Sequence, residues 1–255
     1  NRGSSTMEMN GGTITGNSAE YGGILVGTFS TNYTLSNNFS NPAHYYSTGT
    51  LKLNGGTISN NTAATLGGGI AINGTGKLIM EGGTISGNKA PFGGGIGVND
   101  YLTSSDRGTS SEAQWRSFFP AAATINGGLI TGNEATMTAV TTQISDPNAE
   151  NGVGGGLYVA SKEVYVNGGQ FTNNTAGKQG GGIYVASIPY VLKMGKTLVT
   201  ENTATKIGGG LWLCPTGSAT TAVTNGASFF DNVAGTGAEN NDTGSAGDDV
   251  ASINK

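Results

Sequence analysis

The chain has 255 residues, a formal net charge of −4 at pH 7 and only 11% charged residues. With a pI near 4.9 and no Lys/Arg cluster, it lacks the basic stripe that nucleic acid or an anionic membrane surface requires. No apolar run reaches the roughly 18 residues a membrane-spanning helix needs. Glycine is abundant at 46 residues, yet Ile, Leu and Val recur with a fixed rhythm, so the composition is that of a folded repeat and not of a disordered chain.

That rhythm is set by an Asn two residues before an Ala, at Asn17/Ala19, Asn61/Ala63, Asn88/Ala90, Asn133/Ala135, Asn174/Ala176, Asn202/Ala204 and Asn232/Ala234. Subtracting successive positions gives 44, 27, 45, 41, 28 and 30, so a unit of about 28 residues is repeated, in places with extra chain. The units read most clearly as KLNGGTISNNTAATLGGGIAI (52–72), LIMEGGTISGNKAPFGGGIGV (78–98) and VYVNGGQFTNNTAGKQGGGIYV (164–185). Coils are expected at 7–26, 51–72, 78–98, 123–159, 164–185, 192–213 and 222–254, and the surplus falls in insertions at 27–50, 99–122 and 136–153.

Within each unit, apolar residues alternate over short runs bounded by glycines, which is strand periodicity. The first strand carries Leu51/Leu53 or Val164/Val166. The second centres on Ile14, Ile58, Ile85, Ile130, Phe171, Val199 or Phe229. The third follows the glycines, with pairs such as Ile70/Ile72, Ile96/Val98 and Ile183/Val185. Side chains two apart share a face, so these residues point inward and those between them outward. One unit alone buries too little to order itself. Coils must therefore stack through parallel pairing into an all-β parallel β-helix of about seven coils with three strands per coil. At about 4.8 Å per spacing, the rod is roughly 34 Å long.

The glycines mark corners, and identical Asn residues at one corner can hydrogen-bond coil to coil as a ladder. Asp248 and Asp249 stand where the last unit should have Gly-Gly, which places charge at a terminal edge. Cys214, the single cysteine, follows a strand residue and reads as a small buried hydrophobe.

FTNN (171–174) and FFDN (229–232), paired with GGGI and GGGL, resemble the FxxN and GGAI repeats of chlamydial polymorphic membrane proteins. They are similar also to the pectin lyase-like β-helix repeats of bacterial surface adhesins. The similarity runs from about Met7 to Ala234, with Gly where that family often has Ala, and with Ile or Val for Phe in most coils. It implies a right-handed parallel β-helix and an exported module at a bacterial cell surface that contacts a glycan or a protein; coils without an obvious cap at either terminus lead us to expect a segment of a longer protein.

Chemistry is sparse. Lyases and hydrolases on such folds need clustered acids with Arg, Lys or His, whereas the outward strand positions here hold Thr, Ser, Lys, Tyr, Ala and Gly. The sole histidine, His44, lies in the first insertion, and no spacing of Cys, His or carboxylates suggests a metal or cofactor. The expected function is a non-enzymatic, adhesin-like binding or display module, with a polysaccharide lyase or hydrolase as the alternative. Two places are candidate ligand sites. Between the inward pairs of the third strand, Tyr158, Tyr184 and Trp212 follow one another in successive coils on the outward side, which reads either as a structural ring stack that a loop can cover or as a platform for sugar rings or a partner protein. The insertions bring Tyr45 and Tyr46 on one side, and Trp115, Arg116 and Phe118 on the other. A remoter reading is ice binding, from the outward pairs Thr13/Thr15, Thr57/Ser59 and Thr84/Ser86, a ladder that breaks at Leu129, Gln170, Leu198 and Ser228.

Overall fold

A computed structural model describes residues 4–27, 48–100, 121–139, 151–187, 190–222, 224–235 and 248–252. Among them there is no helix, and the strands form four parallel sheets of seven strands each, one strand from every coil. The architecture is a parallel β-helix. In the fifth coil the four strands are Glu163–Val166, Gln170–Thr172, Thr175–Ala176 and Ile183–Val185, and they belong to sheets that we label A, B, C and D.

Sheets A, B and D are the three strands read from the sequence. Sheet C is an addition: the residue after the repeating Asn and the Ala beyond it pair coil to coil as a short fourth strand, as in Glu134↔Thr175 and Ala135↔Ala176. Two paired residues carry no alternation, so periodicity has nothing to register there. Where the insertions leave the coil, the register is undisturbed, with Val98 opposite Ile72 and Val159. The core runs the length of the stack: Leu53, Met80, Ile125 and Val166 from sheet A, Ile58, Ile85, Ile130, Phe171 and Val199 from sheet B, and Ile72, Val98, Val159 and Val185 from sheet D. Each such side chain contributes about 1.5–3 kcal/mol on burial.

The asparagines form the expected ladder, and it has a direction. In each rung the backbone N–H and Nδ2 both donate to Oδ1 of the next Asn. For Asn88 the distances to Asn133 Oδ1 are both 3.0 Å, and for Asn133 those to Asn174 Oδ1 are 3.1 and 2.9 Å. The remaining Nδ2 hydrogen goes back to a sheet B carbonyl of the preceding coil, Asn133 to Ile85 and Asn174 to Ile130, each at 3.0 Å. Asn61, Asn88, Asn133, Asn174 and Asn202 are completely buried. An amide fits because it offers one accepting oxygen for two donors and two hydrogens to pass on, which leaves no buried polar group unpaired.

At the last rung the acceptor is a carboxylate. Asn232 donates to Asp249 Oδ1 from its backbone (3.2 Å) and from Nδ2 (2.8 Å), and the Ala234 N–H donates to Asp248 Oδ1 at 2.8 Å. Asp accepts and has no amide hydrogens, so it is the residue that ends a ladder of this polarity. In earlier coils the position of Asp248 must be Gly: a Cβ on Gly94 would lie 2.5 Å from the Glu134 carbonyl carbon of the next coil, and one on Gly209 2.5 Å from the Val233 carbonyl oxygen. The Asp248 side chain thus occupies space that the strand of a further coil would need, and the charge expected at this edge acts as a cap.

Candidate functional site

The aromatic ladder exists, but it is not a platform. Tyr158 pairs in register with Tyr184, and Tyr184 with Trp212. The two tyrosine rings stack with centroids 5.7 Å apart and an interplanar angle of 15°. Their exposures are 0% for Tyr158, 2% for Tyr184 and 3% for Trp212, so no ring face is open to a sugar.

Part of the cover is a second layer outside sheet D. The residue just before each glycine run, Leu66, Phe92, Val153, Gln179 or Ile207, is bridged to its counterpart in the next coil. This column lies against sheet D from outside: the Phe92 ring meets Tyr158 edge-on at 5.4 Å, and a Cβ on Gly97 would fall 2.5 Å from Leu66 Cδ1. The sequence signal was present in TLGGG, PFGGG, GVGGG and KIGGG, where an apolar residue stands immediately before the corner. Cys214, at the edge of this layer, is buried as expected, with Sγ 2.8 Å from the Tyr184 hydroxyl. Tyr45, Tyr46, Trp115, Arg116 and Phe118, together with His44, lie outside the described residues.

An open groove lies at a different corner, between sheets A and B. In coils one to five this corner is Asn-Gly-Gly or Glu-Gly-Gly, at positions 10–12, 54–56, 81–83, 126–128 and 167–169, where successive coils approach so closely that a Cβ on Gly127 would lie 2.6 Å from the Glu81 carbonyl oxygen. The polar residues at its lip form an exposed second ladder, with Asn167 Nδ2 donating to Asn126 Oδ1 at 2.9 Å and Asn126 Nδ2 to Glu81 Oε1 at 2.8 Å. Coil six departs from the pattern. Register places Gly195 opposite Asn167, Lys196 opposite Gly168 and Thr197 opposite Gly169. Gly195 removes the amide that would have donated to Asn167 Oδ1, and Lys196 adds a cation. Thr197, without the positive φ of Gly169 (93°), turns the corner differently and donates its hydroxyl to the Val166 carbonyl at 3.0 Å.

The result is a depression of about 510 Å³ across coils four to seven. Asn126, Asn167, Gln170, Lys196, Leu198 and Ser228 line it. All but the half-buried Leu198 are exposed. Among the described residues the ion pair that forms is Lys89 with Glu134 at 2.7 Å, so the Lys196 ammonium has no carboxylate partner there. No family of known proteins matches the chain, and neither a curated protein nor a solved structure matches it.

Beside the groove, on the outer face of sheet A, Lys193 Nζ donates to the Tyr165 hydroxyl at 3.1 Å and stands 4.6 Å from the centre of that ring. The Tyr165 hydroxyl donates in turn to Glu163 Oε2 at 3.0 Å. The hydrogen bond to Tyr165, above all, and charge interaction with that phenol and with Glu163 raise the Lys193 pKa, so the group stays cationic. Tyr165 is half-buried and gives this face an aromatic surface that the sequence reading did not single out.

On the outer face of sheet B, Thr13, Thr57 and Thr84 align as read, and Leu129 interrupts the column. Several of the hydroxyls bond one another, Ser59 to Thr15 at 3.2 Å and Thr172 to Thr131 at 3.0 Å.

Proposed function

We propose that the chain is a rigid, non-enzymatic binding and display module of adhesin type that contacts a glycan at a bacterial cell surface. The observation that carries this reading is the groove at the corner of sheets A and B, where the repeat is broken at coil six. A stack of identical coils requires Asn-Gly-Gly at that corner, and coil six gives up a rung of the ladder in exchange for a cation and an unfilled acceptor. Amides, a hydroxyl and an ammonium suit sugar hydroxyls, and Leu198 offers an apolar patch to a ring face. Among the described residues the lining contains no carboxylate and no imidazole, a set suited to binding sugar hydroxyls and not to acid–base cleavage. The resemblance of FTNN, FFDN and GGGI to polymorphic membrane protein and adhesin repeats supports the surface location.

Incubation of the full chain with an immobilised polysaccharide panel tests the reading. The expected result is retention on at least one glycan, with no reducing or unsaturated ends released. Release of such ends would place the chain among the carbohydrate-active enzymes instead.

A further inference from the structure

Resting on that reading, we infer that the groove selects an anionic glycan, a chain carrying carboxylate or sulfate groups, and that Lys196 and Asn167 discriminate it from a neutral one. Three features converge on this assignment. First, Lys196 is exposed in the groove without a carboxylate partner among the described residues, although the chain as a whole carries net negative charge. A cation left unneutralised in an acidic protein, at a position where the stack otherwise demands Gly, is suited to a negatively charged group from outside.

Second, the amides are set to read hydroxyls. Asn167 commits Nδ2 to Asn126, and its Oδ1 receives no hydrogen bond among the described residues because Gly195 has no side chain. It therefore accepts from a ligand hydroxyl while the Gln170 amide and the Ser228 hydroxyl, both exposed, take others. Third, on the adjoining face the Lys193 ammonium is held in place by its bond to Tyr165, with Glu163 as the counter-charge beyond that hydroxyl, so a fixed polar cluster borders the track. Coils four to seven span three spacings, roughly 14 Å, so the site is an extended track along the rod and not a pocket for one small anion.

The test is calorimetric titration of the full chain with alginate oligosaccharide (carboxylated), dextran sulfate (sulfated) and unmodified dextran (neutral), repeated with K196G and G195N. K196G restores the residue that other coils carry, and G195N the missing rung, at a position where the new Cβ stands 3.0 Å from the Asn167 carbonyl oxygen, so circular dichroism checks that each variant folds. One or both anionic chains are expected to bind, with affinity falling as salt is raised and dropping about ten-fold or more in K196G. Weaker binding is expected in G195N as well, because its amide takes the Asn167 acceptor. Binding of alginate alone or of dextran sulfate alone identifies which anionic group is read. Neutral dextran binding as tightly as either anionic chain, with K196G unaffected, would overturn the charge selectivity while leaving glycan binding intact. Anionic binding that survives both substitutions would overturn the groove as its location. No binding to any of the three would overturn the inference, while retention on another glycan of the polysaccharide panel would leave the functional reading standing.

Discussion

Asn133→Asp is expected to destabilise the chain by on the order of 3–5 kcal/mol at pH 7, whereas Asp249→Asn, the reverse exchange one end of the ladder away, is expected to cost about 1 kcal/mol or less. At position 133 the carboxylate still accepts from Asn88. Its second oxygen, however, now faces the Ile85 carbonyl and Asn174 Oδ1, two acceptors that had received Nδ2 hydrogens, in a site with no exposure. At 249 an amide oxygen accepts from Asn232 as well as the carboxylate does, and the new hydrogens reach solvent at a half-buried edge. Burial raises the pKa of the introduced carboxyl above its unfolded value. The variant is then relatively more stable at low pH and loses stability as pH rises through the folded pKa, because the neutral carboxyl again donates. Urea denaturation at two pH values measures both effects. Equal costs at the two positions would show that the ladder has no polarity.

Gly94→Ala is expected to cost about 3 kcal/mol or more. The atoms its Cβ would meet, the carbonyl carbon and oxygen of Glu134 at 2.5 Å and its nitrogen at 2.6 Å, are all backbone of the neighbouring coil and cannot rotate aside. Coils three and four would have to separate locally, which disturbs sheet C and the Asn88 to Asn133 rung together. Gly132→Ala is the informative control. Its Cβ meets nothing within 4 Å, and the penalty there is the positive φ of 61°, about 1–2 kcal/mol. Denaturant midpoints should rank wild type, then Gly132→Ala, then Gly94→Ala, with the last variant also showing a changed slope if the stack no longer unfolds as one unit. A loss in Gly94→Ala no larger than that in Gly132→Ala would mean that the close approach of the Glu134 backbone does not set the cost.

Most of the fold was legible because a solenoid repeats its instructions. Seven Asn/Ala pairs aligned the coils, and the register of Leu53, Met80 and Ile125, or of Ile58, Ile85 and Ile130, follows from that alignment. Two features were not visible to alternation. Sheet C is two residues long in most coils, below the length at which a period can be counted. The outer column of Leu66, Phe92, Val153 and Ile207 contributes one residue per coil, so nothing local distinguished it from a loop residue, and Tyr158, Tyr184 and Trp212 were placed on the correct side of sheet D but not beneath a second layer.

The groove escaped for a different reason. Its members Gln170, Lys196 and Ser228 are ordinary surface residues taken singly, and Gly195-Lys196-Thr197 became informative only when register set it opposite Asn167-Gly168-Gly169. Departures from the repeat are thus where the search for function belongs, since the repeat itself is accounted for by stacking. Asp248 and Asp249 depart from it as a cap, and coil six departs from it at the corner where we propose the binding site.

Titration of isotope-labelled chain with an alginate oligosaccharide, followed through side-chain N–H resonances, tests the placement of function at that broken corner most directly. The account predicts shifts of the Asn126, Asn167 and Gln170 amides, with the Trp212 indole N–H, buried in sheet D and without a hydrogen-bond partner among the described residues, left unmoved. Shifts centred on Trp212 with the three amides unchanged would contradict it.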